Sequence, residues 1–408
     1  MIELKDIEAA RERIEDRVIV TPCTHSGYFS RLAGAQTFFK FENLQFTGSF
    51  KERGALNKLL TLTPEERARG VIAASAGNHA QGVAYHAGQL GIPATIVMPD
   101  RTPLIKVQNT REFGARVILS GANFDEAYAE ALAVQEREGS TFVHPFDDDQ
   151  VMAGQGTIGL ELLEQNPYLQ LVIVPIGGGG LISGVATAVK EVNPRIQVIG
   201  VQAAALPSMQ KSVEAGAPVT LDPAMTIADG IAVKRPGVRT LEHVRRYVDE
   251  IVTVDEEEIA NAILLLLERE KTVVEGAGAV SVAALLNDKI PQAKGKRVAM
   301  ILSGGNIDVN VLSRVIERGL VKDGRRIRLV VRVQDRPGFL ARLMGTVAEM
   351  GANVVEVYHH RAFALRSTLY ETEVELTLET RGREHMEGLI ASLRERGYQV
   401  VGAAEPRV

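Results

Sequence analysis

LQLVIVPIGGGGLISGVATAV, residues Leu169 to Val189, carries no charge along its whole length. A run of about 20 apolar residues can span a bilayer. This one holds Pro175 and the four consecutive glycines Gly177 to Gly180, so it reads instead as a strand over Leu171–Val174, a loop, and a helix over Ile182–Val192. A strand that feeds a helix through glycines is half of a βαβ unit. The same rhythm extends in both directions. Upstream, Val71–Ala74, Ala94–Met98, Arg116–Leu119 and Thr141–His144 are β-branched runs, separated by helical patterns over Asn78–Leu90, Pro103–Phe113 and Asn123–Glu138. The helix Asp148–Gln165 leads into the glycine stretch, and strand Ile196–Val201, helices Asp255–Lys271 and Ala277–Asn287, and strand Arg297–Leu302 follow it. Two α/β units with parallel sheets are expected.

Past Lys322 the composition changes: residues 325 to 408 contain 13 Arg, no Lys and 11 acidic residues. The rhythm changes too, to strand Ile327–Val333, helix Phe339–Met350, strands Asn353–His360 and Ser367–Leu378, helix Glu384–Arg396 and strand Tyr398–Val401. The order βαββαβ is that of a ferredoxin-like sandwich. A chain of 408 residues suits two or three domains. Here the boundaries fall as a unit over 1–322, with one subdomain at about 49–148 and another made of about 1–48 and 149–322, and a small domain over 326–403.

Composition narrows the function. The chain is 45% hydrophobic and 24% charged with a formal charge of −5, which excludes a strongly basic nucleic-acid binder as the default. Cys23 is the single cysteine, no Cys/His cluster has zinc-site spacing, and the charged N-terminus lacks an apolar signal region. A cytoplasmic protein with no membrane segment, no nucleic-acid partner and no zinc-type metal cluster is expected.

Four short segments carry chemistry. In FTGSFKERG, Lys51 stands in the first turn of a helix anchored by Leu56, Leu59 and Leu60. The helix N-terminus and apolar neighbours disfavour its ammonium and favour the neutral amine that forms a Schiff base. On this segment alone a solvated surface lysine is the better explanation, and the other segments must decide. Ser75-Ala76-Gly77-Asn78-His79 follows a strand and opens a helix, where amides and short polar side chains suit a carboxylate, or where Ser75 or Asn78 simply caps a turn. His79 by itself reads as structural. The glycines 177–180 lack the lysine of a nucleotide-binding P-loop and the spacing of a dinucleotide fingerprint, and they suit a phosphate held at a helix N-terminus. Ser303-Gly304-Gly305-Asn306 ends a strand at the carboxyl edge, where Ser303 could face a ring nitrogen, although the segment alone reads as a turn.

Lysine, anion loop, phosphate loop and strand-end serine together fit pyridoxal phosphate. With GSFKERGA, ASAGNHAQG, GGGGL, TIADGIAVKRPG, VVEGAGA, LSGGN and DRPG, the sequence resembles the fold type II pyridoxal-phosphate enzymes, and within them the threonine dehydratases with a C-terminal ACT domain, from about Ile7 to Val401. The resemblance implies a tryptophan synthase β-like α/β catalytic unit with open, mostly parallel sheets, followed by a ferredoxin-like ACT domain. It implies that Lys51 holds the cofactor, with Phe50 beside the ring, Asn78 on the phenolic oxygen, Gly177, Gly178, Gly179, Gly180 and Leu181 around the phosphate, Ser303 at the pyridine nitrogen and Glu275 lining the site. Glu275 as a packed acidic cap is an equal alternative. Ser75, Ala76, Gly77, Asn78, His79 and Gln155 correspond to the pocket for the substrate carboxylate.

The reaction implied is β-elimination from L-threonine, with L-serine slower, giving 2-oxobutanoate and ammonia through an enamine that leaves and hydrolyses. Lys51 serves as tether and base, and the cofactor phosphate assists loss of the hydroxyl. Serine racemases of the superfamily resemble SSGNH at the anion loop, where this chain has Ala76. Their acidic metal loop corresponds here to Val201–Ser208, which leaves a divalent site doubtful and a carbonyl-bound monovalent cation open. Asp335, Pro337, Gly338, Phe339 and Leu340, of the DRPG turn, match the ACT effector site, for isoleucine or valine. His359 and His360 read as strand residues. A homodimer or homotetramer in isoleucine biosynthesis is implied. A serine-preferring dehydratase or racemase, and a catalytically silent amino-acid sensor, are the competing readings.

Overall fold

In the computed structural model, residues 1–360 and 370–403 are described. The chain forms two compact units, residues 1–308 and 309–408. In chain order the strands of the first unit are β1 (Cys23–Ser26), β2 (Gln36–Lys40), β3 (Val71–Ala74), β4 (Ala94–Met98), β5 (Arg116–Leu119), β6 (Thr141–Phe142), β7 (Leu171–Pro175), β8 (Gln197–Ala203), β9 (Glu250–Val254) and β10 (Arg297–Ile301). They make a sheet ordered β1-β2-β10-β7-β8-β9 and a sheet ordered β5-β4-β3-β6. All pairings are parallel except β1 with β2.

Every residue of β3, β4 and β7 is buried, as expected of central strands covered by helices on both faces. The first strand of the opening stretch ends at Pro175, and its helix, Gly180–Val192, begins at the last glycine and is buried from Gly180 to Val189. No helix among the described residues is long and apolar enough to cross a membrane. Each sheet has its own core: Val172, Val174, Ile182, Val185 and Ile301 belong to one, and Leu59, Val71, Ala80, Ile96 and Val151 to the other. Two expectations change. The helix expected over Asp255–Lys271 is α-helical only over Glu256–Leu265 and finishes in a π turn, Leu266–Glu270, closed by Lys271 at φ 57°. The strand expected to reach His144 stops at Phe142, because Pro145 cannot donate to a ladder.

The topology places the loops. β10 lies directly beside β7, with Val298 opposite Leu171 and Met300 opposite Ile173. Both strands run the same way, so Ser303 and the glycines emerge side by side at the carboxyl edge. In the smaller sheet β3 lies between β4 and β6, which puts Ser75–His79 beside the segment that leaves β6.

The helix Lys51–Leu60 is fixed by charge as well as by Leu56 and Leu59. Arg53 is fully buried. Its guanidinium donates to both oxygens of Glu42 at 2.8 and 2.9 Å, to both of Glu161 at 2.5 and 2.9 Å, and to the Ile19 carbonyl at 3.1 Å. Lys40 adds a second cation on Glu161 at 2.5 Å and on the Thr21 carbonyl at 2.6 Å. Two cations and two anions thus balance with their hydrogen bonds satisfied, the condition on which buried ions are tolerable. Burial works against the Glu42 carboxylate, yet the charge and hydrogen bonds of Arg53 hold it below the ordinary carboxylate range.

The second unit contains β11 (Arg326–Gln334), helix Phe339–Glu349, β12 (Asn353–His360), β13 (Glu371–Glu379), helix Arg383–Glu395 and β14 (Gln399–Ala403). Its antiparallel sheet is ordered β12-β13-β11-β14, the ferredoxin-like arrangement. Residues 361–369 lie outside the described ones, and with them the first residues of the strand expected over Ser367–Leu378. On β11, Ile327, Leu329, Val331 and Val333 face the core, while Arg326 and Arg332 pair across the strand with Glu379 at 3.3 Å and Glu373 at 3.5 Å. The helix Val309–Lys322 falls within this unit.

Replacing Arg53 by methionine would leave Glu42 and Glu161 buried against Lys40 alone. A loss of about 3–5 kcal/mol is expected, read as a fall in the denaturant midpoint of the first unit. An unchanged midpoint would show that the ion cluster does not hold this helix.

Candidate active site

The segment before Lys51 is pinned by backbone. Phe50 donates its N–H to the Ser303 carbonyl at 3.0 Å, Gly305 donates to the Gly48 carbonyl at 2.9 Å, and Ser49 bridges Gly304 in antiparallel fashion. Gly48 sits at φ 71°, in the left-handed region that a glycine enters without strain. Lys51 is thereby the first residue of its helix. Burial pushes its amine down to about 8, from an ordinary value of 10.5, against the pull of the Glu275 carboxylate. Its Nζ donates to the Pro145 carbonyl at 2.9 Å and lies 5.2 Å from the centre of the Phe50 ring.

The neighbouring Glu52 solves its burial differently. One oxygen accepts from both the N–H and the hydroxyl of Thr47 at 2.7 Å, which caps the turn leading to Lys51. The other oxygen has no hydrogen-bond partner among the described residues and faces His86 at 3.8 Å.

Asn78 opens the helix Asn78–Gln89. Its Nδ2 donates to Glu275 at 2.7 Å and its Oδ1 accepts from Asn306 Nδ2 at 2.8 Å, so the anion loop is tied to the strand-end loop. Glu275, buried at the start of the helix Gly276–Leu286, is pushed up to about 7 by burial and by Asp229. The Asn78 hydrogen bond, Lys106 and Lys51 oppose that shift. Ser75 accepts from the Gly77 N–H at 3.2 Å, and Ala76 packs against the core of the smaller sheet. His79 is turned inward. Its Nε2 meets the Val143 carbonyl at 2.8 Å, its Nδ1 is buried without a partner among the described residues, and burial followed by the Lys51 charge lowers its pKa to about 3. The ring thus spends its Nε2 on a backbone carbonyl of the segment after β6.

The glycines stand at the N-terminus of the helix Gly180–Val192. Gly179 has φ 97°, and a Cβ there would meet Thr240 at 2.8 Å. Gly178 and Gly180 lie against Phe146, whose ring stands where a Gly178 side chain would have to go. Phe146 belongs to the turn after β6, and this turn is held firmly. His144 Nδ1 accepts from the N–H groups of Phe146 and Asp147, at 3.2 and 2.8 Å. The Asp147 carboxylate accepts from Val238, Arg239 and Thr240 at 3.0 to 3.2 Å. One turn therefore connects Lys51, through Pro145, to the glycine loop, through Phe146. Sequence reasoning missed it, as it missed the part played by Asn306; the latter closes the LSGGN motif, which was the available signal.

The structure thus gathers Lys51, Phe50, Asn78, Glu275, Ser303 and the glycines. Leu181 is buried in the core of the larger sheet. Gln155 stands apart on the helix Asp149–Gln165, where its Oε1 accepts from the Gly54 N–H at 3.2 Å. In the second unit, Asp335 and Pro337 are exposed after β11. Gly338 caps the next helix, and Phe339 and Leu340 pack partly into that unit's core.

The first-unit residues fit a phosphorylated aldehyde. A side-chain-free turn presents amides at a helix N-terminus, where a phosphate is favoured. Lys51 offers an amine whose neutral form is accessible near neutral pH. Ser49, beside Gly304, has a buried hydroxyl with no partner among the described residues. Comparison with known proteins agrees. Residues 14–304 match the family model described as pyridoxal-phosphate dependent enzyme. The chain is 54% identical to an L-threonine ammonia-lyase of Thermotoga maritima, over 98% of this chain and 99% of that one. It is 53% identical to another of Geobacter sulfurreducens, over 97% and 98%. Among solved structures, a threonine deaminase from T.th. superposes with a TM-score of 0.71 at 43% identity, covering 75% of this chain and 99% of that one. Maize serine racemase gives 0.74 at 38%, covering 78% and 98%. The chain belongs to the pyridoxal-phosphate dependent enzyme family, in its threonine ammonia-lyase branch.

Proposed function

We propose that the protein deaminates L-threonine to 2-oxobutanoate and ammonia by β-elimination, with L-serine as the slower substrate. The observation that carries this reading is a part-buried lysine amine of lowered pKa, at a helix start between the strand-end serine and the turn that covers the glycine loop. Near full-length identity to two L-threonine ammonia-lyases supports it. Lys51 would hold pyridoxal phosphate covalently, the amides of Gly177 to Gly180 and Leu181 its phosphate, and Asn78, backed by Glu275, its phenolic oxygen. Phe50 would pack beside the ring and Ser303 would meet the pyridine nitrogen. When bound, the cofactor supplies the electron sink that acidifies the α-proton of an amino acid.

The remaining steps belong to the protein. The substrate carboxylate is received by the loop Ser75–Gly77 at the start of the helix Asn78–Gln89, where amides favour an anion. Gln155 contributes through its hold on the lysine helix, and His79 through its brace on Val143. Lys51 Nζ, freed once the substrate's amine displaces it and brought down to about 8 by burial so that its neutral form is accessible, would take the α-proton from the face on which it stands. The Pro145 carbonyl lies at hydrogen-bond distance to keep the resulting ammonium oriented. Ser303 is a neutral hydroxyl and places no formal charge at the ring nitrogen, which disfavours a long-lived carbanion. Ala76 has no proton to deliver from the opposite face, so elimination is favoured over racemisation. Serine is separated from threonine by one methyl group, worth about 1–3 kcal/mol in a pocket.

The second unit serves as the regulatory module. Asp335, Pro337, Gly338, Phe339 and Leu340 form its effector turn, with isoleucine or valine as the ligand. The enzyme acts in the cytoplasm as a homodimer or homotetramer. A silent amino-acid sensor would have no use for a lysine amine tuned in this way.

Purified protein is expected to release keto acid from L-threonine faster than from L-serine, with a rate that responds to isoleucine or valine. A yellow protein that turns over neither substrate would overturn the lyase reading. Lys51→Ala is expected to abolish turnover with the fold intact, and retained turnover would refute the role of Lys51. In cofactor-free protein, an amine reagent is expected to modify Lys51 with a midpoint near pH 8, the neutral form growing as pH rises; a midpoint near 10.5 would remove the burial effect.

A further inference from the structure

Asn306 joins three segments that are remote in sequence. Its Nδ2 donates to the Thr47 carbonyl at 2.7 Å and to Asn78 Oδ1 at 2.8 Å, and its Oδ1 lies against Gly48, where a Cβ would approach to 2.6 Å. An amide looks nearly the same either way round, so the direction of such a chain must be set by a group with only one hydrogen-bonding role. The Thr47 carbonyl is that group, because it can only accept. It requires Asn306 to present Nδ2, and both hydrogens of that nitrogen are then spent, on Thr47 and on Asn78. Asn78 must therefore present Oδ1 to Asn306 and direct Nδ2 the other way. One Asn78 hydrogen goes to Glu275 at 2.7 Å, and the other is left for the site.

We propose that Asn306 is a positioning residue that fixes the orientation of the Asn78 amide, so that Asn78 offers the bound cofactor an N–H and never a carbonyl oxygen. The inference rests on the cofactor site proposed above and adds a residue that acts through Asn78. Its chemical content is directional. A donor at the phenolic oxygen stabilises that oxygen's ionised form, whereas a flipped amide would set lone pair against lone pair. Glu275 cannot enforce the orientation alone. Pushed up to about 7 by burial and Asp229, it carries a proton in part of the working range and could then donate to a flipped Asn78. Asn306 holds the direction whatever the state of Glu275. Gly48 belongs to the same device, since a side chain there would strike the Asn306 amide and displace it.

The test titrates pyridoxal phosphate into cofactor-free wild type, Asn306→Ala, Asn78→Ala and the double variant, recording the dissociation constant and the pH midpoint of the visible band. Asn306→Ala is expected to weaken binding by about ten-fold, the scale of one hydrogen bond to a charged group. It should also raise the pH midpoint as the phenolic oxygen loses its donor. The double variant is expected to match Asn78→Ala, because Asn306 acts through Asn78. Unchanged binding and midpoint in Asn306→Ala would overturn the proposal, as would losses that add in the double variant. If Asn306→Ala is not recovered folded, Asn306→Ser keeps a hydroxyl for one of the two acceptors and is expected to fall between wild type and Asn78→Ala; wild-type values there would overturn the proposal. Wild type that binds the cofactor but releases no keto acid from threonine would refute the proposed reaction alone, since these readouts need no turnover. Wild type that does not bind pyridoxal phosphate would overturn both.

Discussion

A buried guanidinium sets the geometry of this protein. Arg53 is shut off from solvent and donates to both oxygens of Glu42 and of Glu161, which ties the helix Lys51–Leu60 to two segments remote in sequence. Lys51 stands two residues before it, and its position follows from that clamp. The consecutive residues Lys51, Glu52 and Arg53 show three answers to one problem, a charge removed from solvent. Arginine keeps its charge and is paired on both sides. Glutamate spends one oxygen on Thr47 and shapes the approach to the helix. Lysine alone is given no carboxylate at contact distance among the described residues, so burial, only partly offset by the Glu275 charge, loosens its proton. The absence of a counter-ion at Lys51 matters as much as its presence at Arg53.

Around that fixed lysine the site is assembled from the edges of two sheets. The larger sheet contributes two adjacent strand ends, the glycines after β7 and Ser303 after β10. The smaller contributes the Asn78 loop after β3 and the turn after β6. The lysine segment is joined to the strand-end loop backbone to backbone, Phe50 to Ser303 and Gly305 to Gly48, whereas the asparagine loop is tied in by side chains, Asn78 to Asn306 and to Glu275.

Much of this was legible in the sequence, and the reason differs from case to case. β3, β4, β5 and β7 announce themselves because each is a β-branched run bounded by turn residues. The βαββαβ order of the tail is visible because buried and exposed residues alternate along β11 and β13. The glycines 177–180 were readable because nothing but close backbone approach explains four in a row. β1, β2 and β9 were missed: they are short, and β1 is largely exposed, so no period stands out. The Arg53 cluster was invisible for a deeper reason. Its partners lie at positions 42 and 161, and no local pattern distinguishes a glutamate bound for the interior from one on the surface. Gln155 and His79 were legible as members of motifs, yet the bonds they make, to Gly54 and Val143, depend on packing that only the folded chain supplies.

The position of β10 also bears on how the protein is made. It is the last strand of the first unit to be synthesised, yet it lies in the interior of the larger sheet, between β2 and β7. A nascent chain that has already emitted the lysine, the asparagine loop and the glycines still lacks the strand that separates β2 from β7. It also lacks Ser303 to Asn306, which lock the lysine segment and the asparagine amide. Contacts of such sequence separation form late and slowly. The aldehyde-binding pocket therefore cannot close around a ligand during most of translation, and a reactive amine is completed only when the whole unit has left the ribosome.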